Sequence, residues 1–530
     1  MLSRSQTCVE GAAVPRASHR IGALLLLAAL ATGCSAGPSQ RPAVAYRGPE
    51  QQVAPTPPPP GPAPVPELGA PAGGTLNWKD CTQQTRDEIG ATDGPAFSCS
   101  QLLTTLDSPE SPAAGTTRAE LLSTGNGGIP LVVLGDAGGE PGTSVAARMA
   151  LRMPPEMLNT FRIIGMDRRG TGGSDPADCI PPQQRQSIAG FDPRATDRAS
   201  LDRLLVSVRD SSQECLLDLD DRLQAYDTWR TAGDLEELRR ELDVPKLHAL
   251  ARGEASRVLT TYAQRYPGSV GRMVLDGGPN PLMDAMGQAK EQAQSAERTF
   301  DAFAEDCAAN GPCPLGPDPR RTVEDLVERT RAAPLPAAGA PVTAGKIVRV
   351  LASGLGDSDR WPQLREALAA ANSGDGAAIG ELARPLVEDT GQDPAQLDGD
   401  LITSCNDTAL RVPPERVVAL AGEWVRTHPL FGGMYAQRLA WCSQWPPPEQ
   451  EPPAPSAPGL PPMPVVATAK DPSMPEKGTE QLAEQLPSGV PIRWLGAGHG
   501  AFGRSDCVTE AVTRFFVRGE VPAAGTACPA

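Results

Sequence analysis

Six short apolar runs, at 129–134, 161–166, 247–250, 273–275, 465–467 and 492–495, punctuate the chain downstream of Trp78, and helix-length amphipathic stretches separate them. Runs this short and this continuously apolar suit strands buried on both faces, so the pattern predicts a mostly parallel central sheet with helices on both faces. The alternation stops after Asn280. Helix-like segments follow at 289–307, 322–332 and 359–371, and a proline-rich loop over 445–464 ends the stretch. Because strand pattern returns at 463, a helical lid inserted between strands is favoured over an independent second domain. The expected body is a core in two parts, 73–279 and 463–530, with a lid over 280–462.

Upstream of the body the pattern changes character twice. Arg4, Arg16 and Arg20 precede an apolar run at 21–31 that is too short to span a membrane as a mature helix, which is the layout of an export signal over 1–33. Leu30-Ala31-Thr32-Gly33 leads into Cys34, as in bacterial signals cleaved before a lipid-modified cysteine. The expectation is a lipid anchor at Cys34 on the extracellular face of the cell membrane, or secretion if Cys34 is unmodified. Residues 34–72 are rich in Pro, Ala and Gly without apolar periodicity, and are expected to form an extended tether.

Composition narrows the partners. A net charge of −16 argues against nucleic acid, whose phosphates need a concentrated basic face. Of the twelve cysteines, Cys8 falls in the signal and Cys34 at the anchor, leaving an even set of ten suited to an oxidising compartment. Pairing in sequence order gives Cys81–Cys99, Cys179–Cys215, Cys307–Cys313, Cys405–Cys442 and Cys507–Cys528. No cysteine pair has the C-x-x-C spacing of a zinc site, and neither a metal nor a cofactor is implied.

The chemistry centres on the apolar run at 247–250. It leads into Ala251-Arg252-Gly253-Glu254-Ala255 and then a helix-like run that ends before Pro267. A strand, a sharp turn between small residues and a helix make up the nucleophile elbow of α/β-hydrolases, in which G-x-S-x-G holds a serine at positive φ. Here Gly253 takes the tip. Glycine accepts that backbone freely but supplies no nucleophile. The candidate oxyanion loop is Gly135-Asp136-Ala137-Gly138-Gly139-Glu140-Pro141-Gly142, with Gly138, Gly139 and Glu254 as candidate donors. Asp136 and Glu140 add negative charge where an anion would develop. Ser256 stands a helical turn from the tip, a poor substitute nucleophile, and Glu254 could in principle act with His499 on water.

The chain resembles the actinobacterial tripeptidyl aminopeptidase-like α/β-hydrolases. The resemblance runs through Asp167-Arg168-Arg169-Gly170-Thr171-Gly172-Gly173-Ser174, Tyr226-Asp227-Thr228, Tyr262 to Pro267, Cys405-Asn406-Asp407, Trp441-Cys442 and Gly498-His499-Gly500. Counted back from Tyr262, the family's serine falls on Gly253. The resemblance implies an α/β-hydrolase fold with an inserted lid, Asp471 as the acid and His499 as the base. Two functions are weighed. One is an exported, lipid-anchored, catalytically impaired member that binds a peptide or another small ligand. The alternative is an active extracellular aminopeptidase- or esterase-like hydrolase with a substitute nucleophile.

Overall fold

The computed structural model describes residues 61–390 and 393–530. The expected export signal and Cys34 lie outside these residues. Ten strands form one sheet in the order β1-β2-β3-β5-β4-β6-β7-β8-β9-β10. They are β1 Lys79–Asp80, β2 Ser98–Thr105, β3 Thr116–Thr124, β4 Ile129–Leu134, β5 Phe161–Met166, β6 Leu247–Arg252, β7 Val270–Asp276, β8 Met463–Lys470, β9 Gly489–Ala497 and β10 Thr526–Cys528. From β5 through β4 to β10 every neighbouring pair is parallel, while β1, β2 and β3 add an antiparallel edge. All six apolar runs lie in parallel strands. The antiparallel edge and β10 carried no comparable run.

Two apolar layers sandwich the sheet, as burial on both faces requires. Leu131, Val133, Val274 and Val466 point to the face covered by the helices Gly142–Ala150 and Asp506–Arg518. Val132, Leu134, Ala249 and Leu275 point to the face covered by Thr228–Glu241 and Ser256–Arg265. The segment Asp167 to Ser174 braces the end of β5. Asp167 accepts from the Thr143 and Gly173 N–H groups at 2.8 and 3.0 Å. Arg169 makes a buried two-point pair with Asp234, at 2.8 and 2.5 Å.

A third cluster sits above the C-terminal ends of the strands and forms the lid. It includes Phe300, Phe303, Ile347, Trp361, Trp424 and Trp441 from the expected insertion. It also includes Ile180, Leu201, Leu204, Val208, Leu219 and Tyr226, which were assigned to the core. The lid therefore has two parts, about 177–226 after β5 and 280–445 after β7. The helix Arg198–Leu219 carries its apolar face away from the sheet and toward Pro414–Thr427, which is why the boundary at 279 divides the layers incorrectly.

The body also begins before residue 72. The Ala63 N–H donates to the Leu460 carbonyl at 3.0 Å, and Arg272 Nε donates to the Pro66 carbonyl at 2.9 Å. Val65 and Leu68 pack on the sheet's apolar layer, so this stretch of the compositional tether is fixed to the body. Five disulfides join Cys81–Cys99, Cys179–Cys215, Cys307–Cys313, Cys405–Cys442 and Cys507–Cys528. Such a set fits an oxidising, extracytoplasmic environment. No helix among the described residues is long and apolar enough to cross a membrane.

The Arg169–Asp234 pair gives a stability test, because both side chains are only 2% exposed. Asp234→Ala leaves a buried guanidinium without its carboxylate and should cost on the order of 3 kcal/mol in denaturant unfolding.

Candidate active site

The strand register assembles the site. β4 and β6 are parallel neighbours with Leu134 opposite Ala251. Two residues beyond this pair, Asp136 and Gly253 leave the sheet side by side. This is the crevice at the C-terminal ends of the strands, beside the reversal in strand order, where open α/β sheets place their ligands. β8 and β9 pair with Lys470 opposite Ala497, so Asp471 and His499 follow on the same edge.

Gly253 has φ +64° and starts a short 3-10 turn that runs into the helix Ser256–Arg265. The backbone is that of a nucleophile elbow. A Cβ at Gly253 would lie 2.4 Å from His499 Cε1 and 2.5 Å from Asp136 Oδ1, so these two side chains fill the space a serine would need. The tip is occupied as well as unarmed.

His499 is held from both sides. Its Nδ1 lies 3.1 Å from both oxygens of Asp471, and its Nε2 lies 2.7 Å from Asp136 Oδ2. Asp471 is in turn fixed by the Ser473 and Met474 N–H groups, both at 2.8 Å. Burial opposes charge on the imidazole, but the carboxylates of Asp471 and Asp136 outweigh it and push its pKa up to about 10. At neutral pH His499 is an imidazolium. It has no free lone pair to take a proton from a nucleophile, which a working triad demands.

Asp136 also takes the oxyanion donor. Its Oδ1 accepts from the Glu254 N–H at 2.6 Å, and this N–H, following the tip residue, is the one expected to face a developing oxyanion. Burial works against its charge, yet His499, Arg252 and the Glu254 N–H hold the carboxyl below its ordinary range. The other candidate donors are placed differently. The Gly139 N–H turns into its own loop and donates to the Asp136 carbonyl at 3.4 Å, and Gly138 packs against Asp400 of the lid. Glu140 points away to Arg148 at 3.0 Å.

The substitute chemistries weighed above lose their geometry. The Glu254 side chain pairs with Arg168, which also donates to Thr228 Oγ1 at 2.9 Å, so it is not aimed at His499. Ser256 is fully buried and donates to the Gly277 carbonyl. His248 is a core residue: Nδ1 accepts from the Arg272 N–H at 2.9 Å, and burial with the nearby Arg272 charge lowers its pKa to about 4. The sequence marks Asp136 only as extra negative charge near the anion site, whereas the structure places its carboxylate on His499 and the Glu254 N–H. The offset of two residues past the paired Leu134 and Ala251 is the signal that places it at the tip, and it requires the register.

Above this floor lies a cavity of about 540 Å³, lined by Asp136, Arg252 and His499 from the core and by Gln288, Arg438 and Trp441 from the lid. The sheet topology, the elbow and the Asp471–His499 pair together define the α/β-hydrolase fold. The model of the TAP-like protein family matches residues 428–528. The chain is 26% identical over 485 residues to serine protease Hip1 of Mycobacterium tuberculosis, covering 87% of this chain and 92% of that one. It is 26% identical over 414 residues to a tripeptidyl aminopeptidase of Streptomyces lividans, covering 74% and 75%. With carboxylesterase B of M. tuberculosis the identity is 27% over 428 residues, covering 74% and 78%. The chain resembles the TAP-like α/β-hydrolases: the family model matches its C-terminal part, and the likeness to these relatives runs over most of its length.

The sign of the His499 shift sets a pH test. A base whose pKa is raised on folding contributes stability that is fully present below its unfolded value of about 6.5. That contribution is lost as pH rises through the folded value of about 10. Imidazole NMR should show His499 protonated at pH 8, and Asp136→Asn should bring its titration to lower pH.

Proposed function

We propose that this chain is an exported hydrolase-fold protein, lipid-anchored through Cys34, that keeps the family's lidded pocket for a peptide or another small ligand but does not hydrolyse through a serine. The peptide class follows from the relatives named as a protease and a tripeptidyl aminopeptidase. One observation carries the loss of chemistry. At the tip of the elbow, Gly253 leaves a space that His499 and Asp136 fill in a mutual ion pair. The missing hydroxyl, the protonated base and the occupied oxyanion donor are three separate obstacles to acyl transfer.

A second reading rests on the same contact. Asp136 Oδ2, 2.7 Å from the histidine, is the group that stands where a substitute nucleophile would. Its two oxygens are engaged by the imidazolium and by the Glu254 N–H, which favours the first reading. Release of a chromogenic amine from a tripeptide amide, lost in both Asp136→Asn and His499→Ala, would reverse that order.

The purified protein should take no label from a fluorophosphonate probe, and specific labelling would sink the proposal. Gly253→Ser alone should also stay unlabelled, because the new side chain meets Asp136 and a charged histidine. Combined with Asp136→Gly it should gain about 10²–10³-fold in esterase activity over the single variant, the scale on which an oxyanion donor acts.

A further inference from the structure

The glycines flanking His499 each make room for an arginine. A Cβ at Gly498 would lie 2.5 Å from Arg504 Nη1, and a Cβ at Gly500 would lie 2.9 Å from Arg252 Cδ. The floor of the pocket therefore carries three cations in sequence: Arg504, the His499 imidazolium and Arg252. Two of them have their partners. His499 has its two carboxylates, and Arg504 donates to the Gly356 carbonyl at 2.6 Å and pairs with Asp357 at 3.1 Å.

Arg252 is different. Its Nε is shielded from solvent without a hydrogen-bond partner. Asp136 and Asp276 feel its charge, but the Asp136 oxygens are committed to His499 and Glu254, and the Asp276 oxygens accept from the Ala501 and Phe502 N–H groups. A guanidinium offers five donors in a planar fork, and a buried donor such as this Nε left without an acceptor is expensive to keep. Burial and the Arg252 charge both work against the charge on Arg504.

We propose that the pocket takes a ligand bearing a carboxylate, and that this carboxylate docks on Arg252, beside the occupied nucleophile site. The planar fork matches two carboxylate oxygens, and the added negative charge offsets the repulsion between Arg252 and Arg504. The proposal rests on the lidded-pocket reading above and names its ligand class. A peptide would present its C-terminal carboxylate here. The old catalytic floor would then hold the end of a ligand instead of a bond to be cleaved.

The test titrates the full mature chain with three matched pairs: Ala-Ala-Ala and its C-terminal amide, hexanoate and hexanamide, and benzoate and benzamide. In at least one pair the carboxylate should bind about tenfold tighter than the amide. Arg252→Gln should reduce that preference to within about twofold. Arg252→Lys keeps the charge without the fork and should fall between the two, which covers the case in which the Gln variant does not fold. Absence of a preference in every pair overturns the proposal, as does a preference that survives Arg252→Gln. Inorganic phosphate that binds more tightly than every carboxylate, with the same dependence on Arg252, would overturn the carboxylate assignment. Fluorophosphonate labelling would sink the serine-less reading without touching this result, so the two failures are distinguishable.

Discussion

The imidazolium of His499, gripped on one nitrogen by Asp471 and on the other by Asp136, fixes the chemistry of the whole pocket floor. In a serine hydrolase the second of those grips belongs to the nucleophile, and the histidine alternates between neutral and charged forms. Here a carboxylate has taken the serine's hydrogen bond and keeps the ring charged at neutral pH. The substitution is coherent as physics. Removing a side chain from a packed tip leaves a hole, and close-packed interiors do not keep holes. A carboxylate that reaches into the hole satisfies the imidazole and the Glu254 N–H together. The arrangement trades a reactive site for a neutralised one without disturbing the elbow's backbone, whose positive φ only glycine accepts freely.

Much of this was readable from residues alone, for identifiable reasons. The strands at 129–134 and 161–166 are buried on both faces, and that leaves an uninterrupted apolar run in the sequence. β2 alternates buried and exposed positions among polar residues and sits near an edge, so its signal is weak. Asp471 and His499 follow predicted strands in the order the fold demands. The helix Arg198–Leu219 was assigned to the wrong layer because amphipathicity reveals that one face is buried, not which partner buries it. Asp136 and Arg252 could not be placed on the floor without knowing that β4 and β6 are neighbours and in which register.

The lid shows how the family's remaining motifs are used once catalysis is set aside. Asn406 donates to the Leu223 and Tyr226 carbonyls at 2.6 and 3.1 Å and accepts from Trp445 Nε1 at 2.8 Å, which ties the two lid segments together. Its neighbour Asp407 accepts from the Thr228 N–H and hydroxyl at 2.9 and 2.6 Å, which ties the lid to the core. Ser295 reaches from the lid to the Asp471 carbonyl at 2.7 Å. Pocket shape and floor chemistry are thus maintained by one connected set of polar contacts.

The sequential disulfides divide along the same architecture. Cys179–Cys215, Cys307–Cys313 and Cys405–Cys442 lie within the lid, while Cys81–Cys99 and Cys507–Cys528 lie within the sheet layers. Among the described residues no covalent bridge crosses the seam between them. Each layer is stapled against the wear of an extracytoplasmic environment, yet the seam is left to noncovalent contacts that can break and reform. An opening of this seam would break no disulfide, so the ambient redox state bears on the durability of each layer and not on the contacts between them.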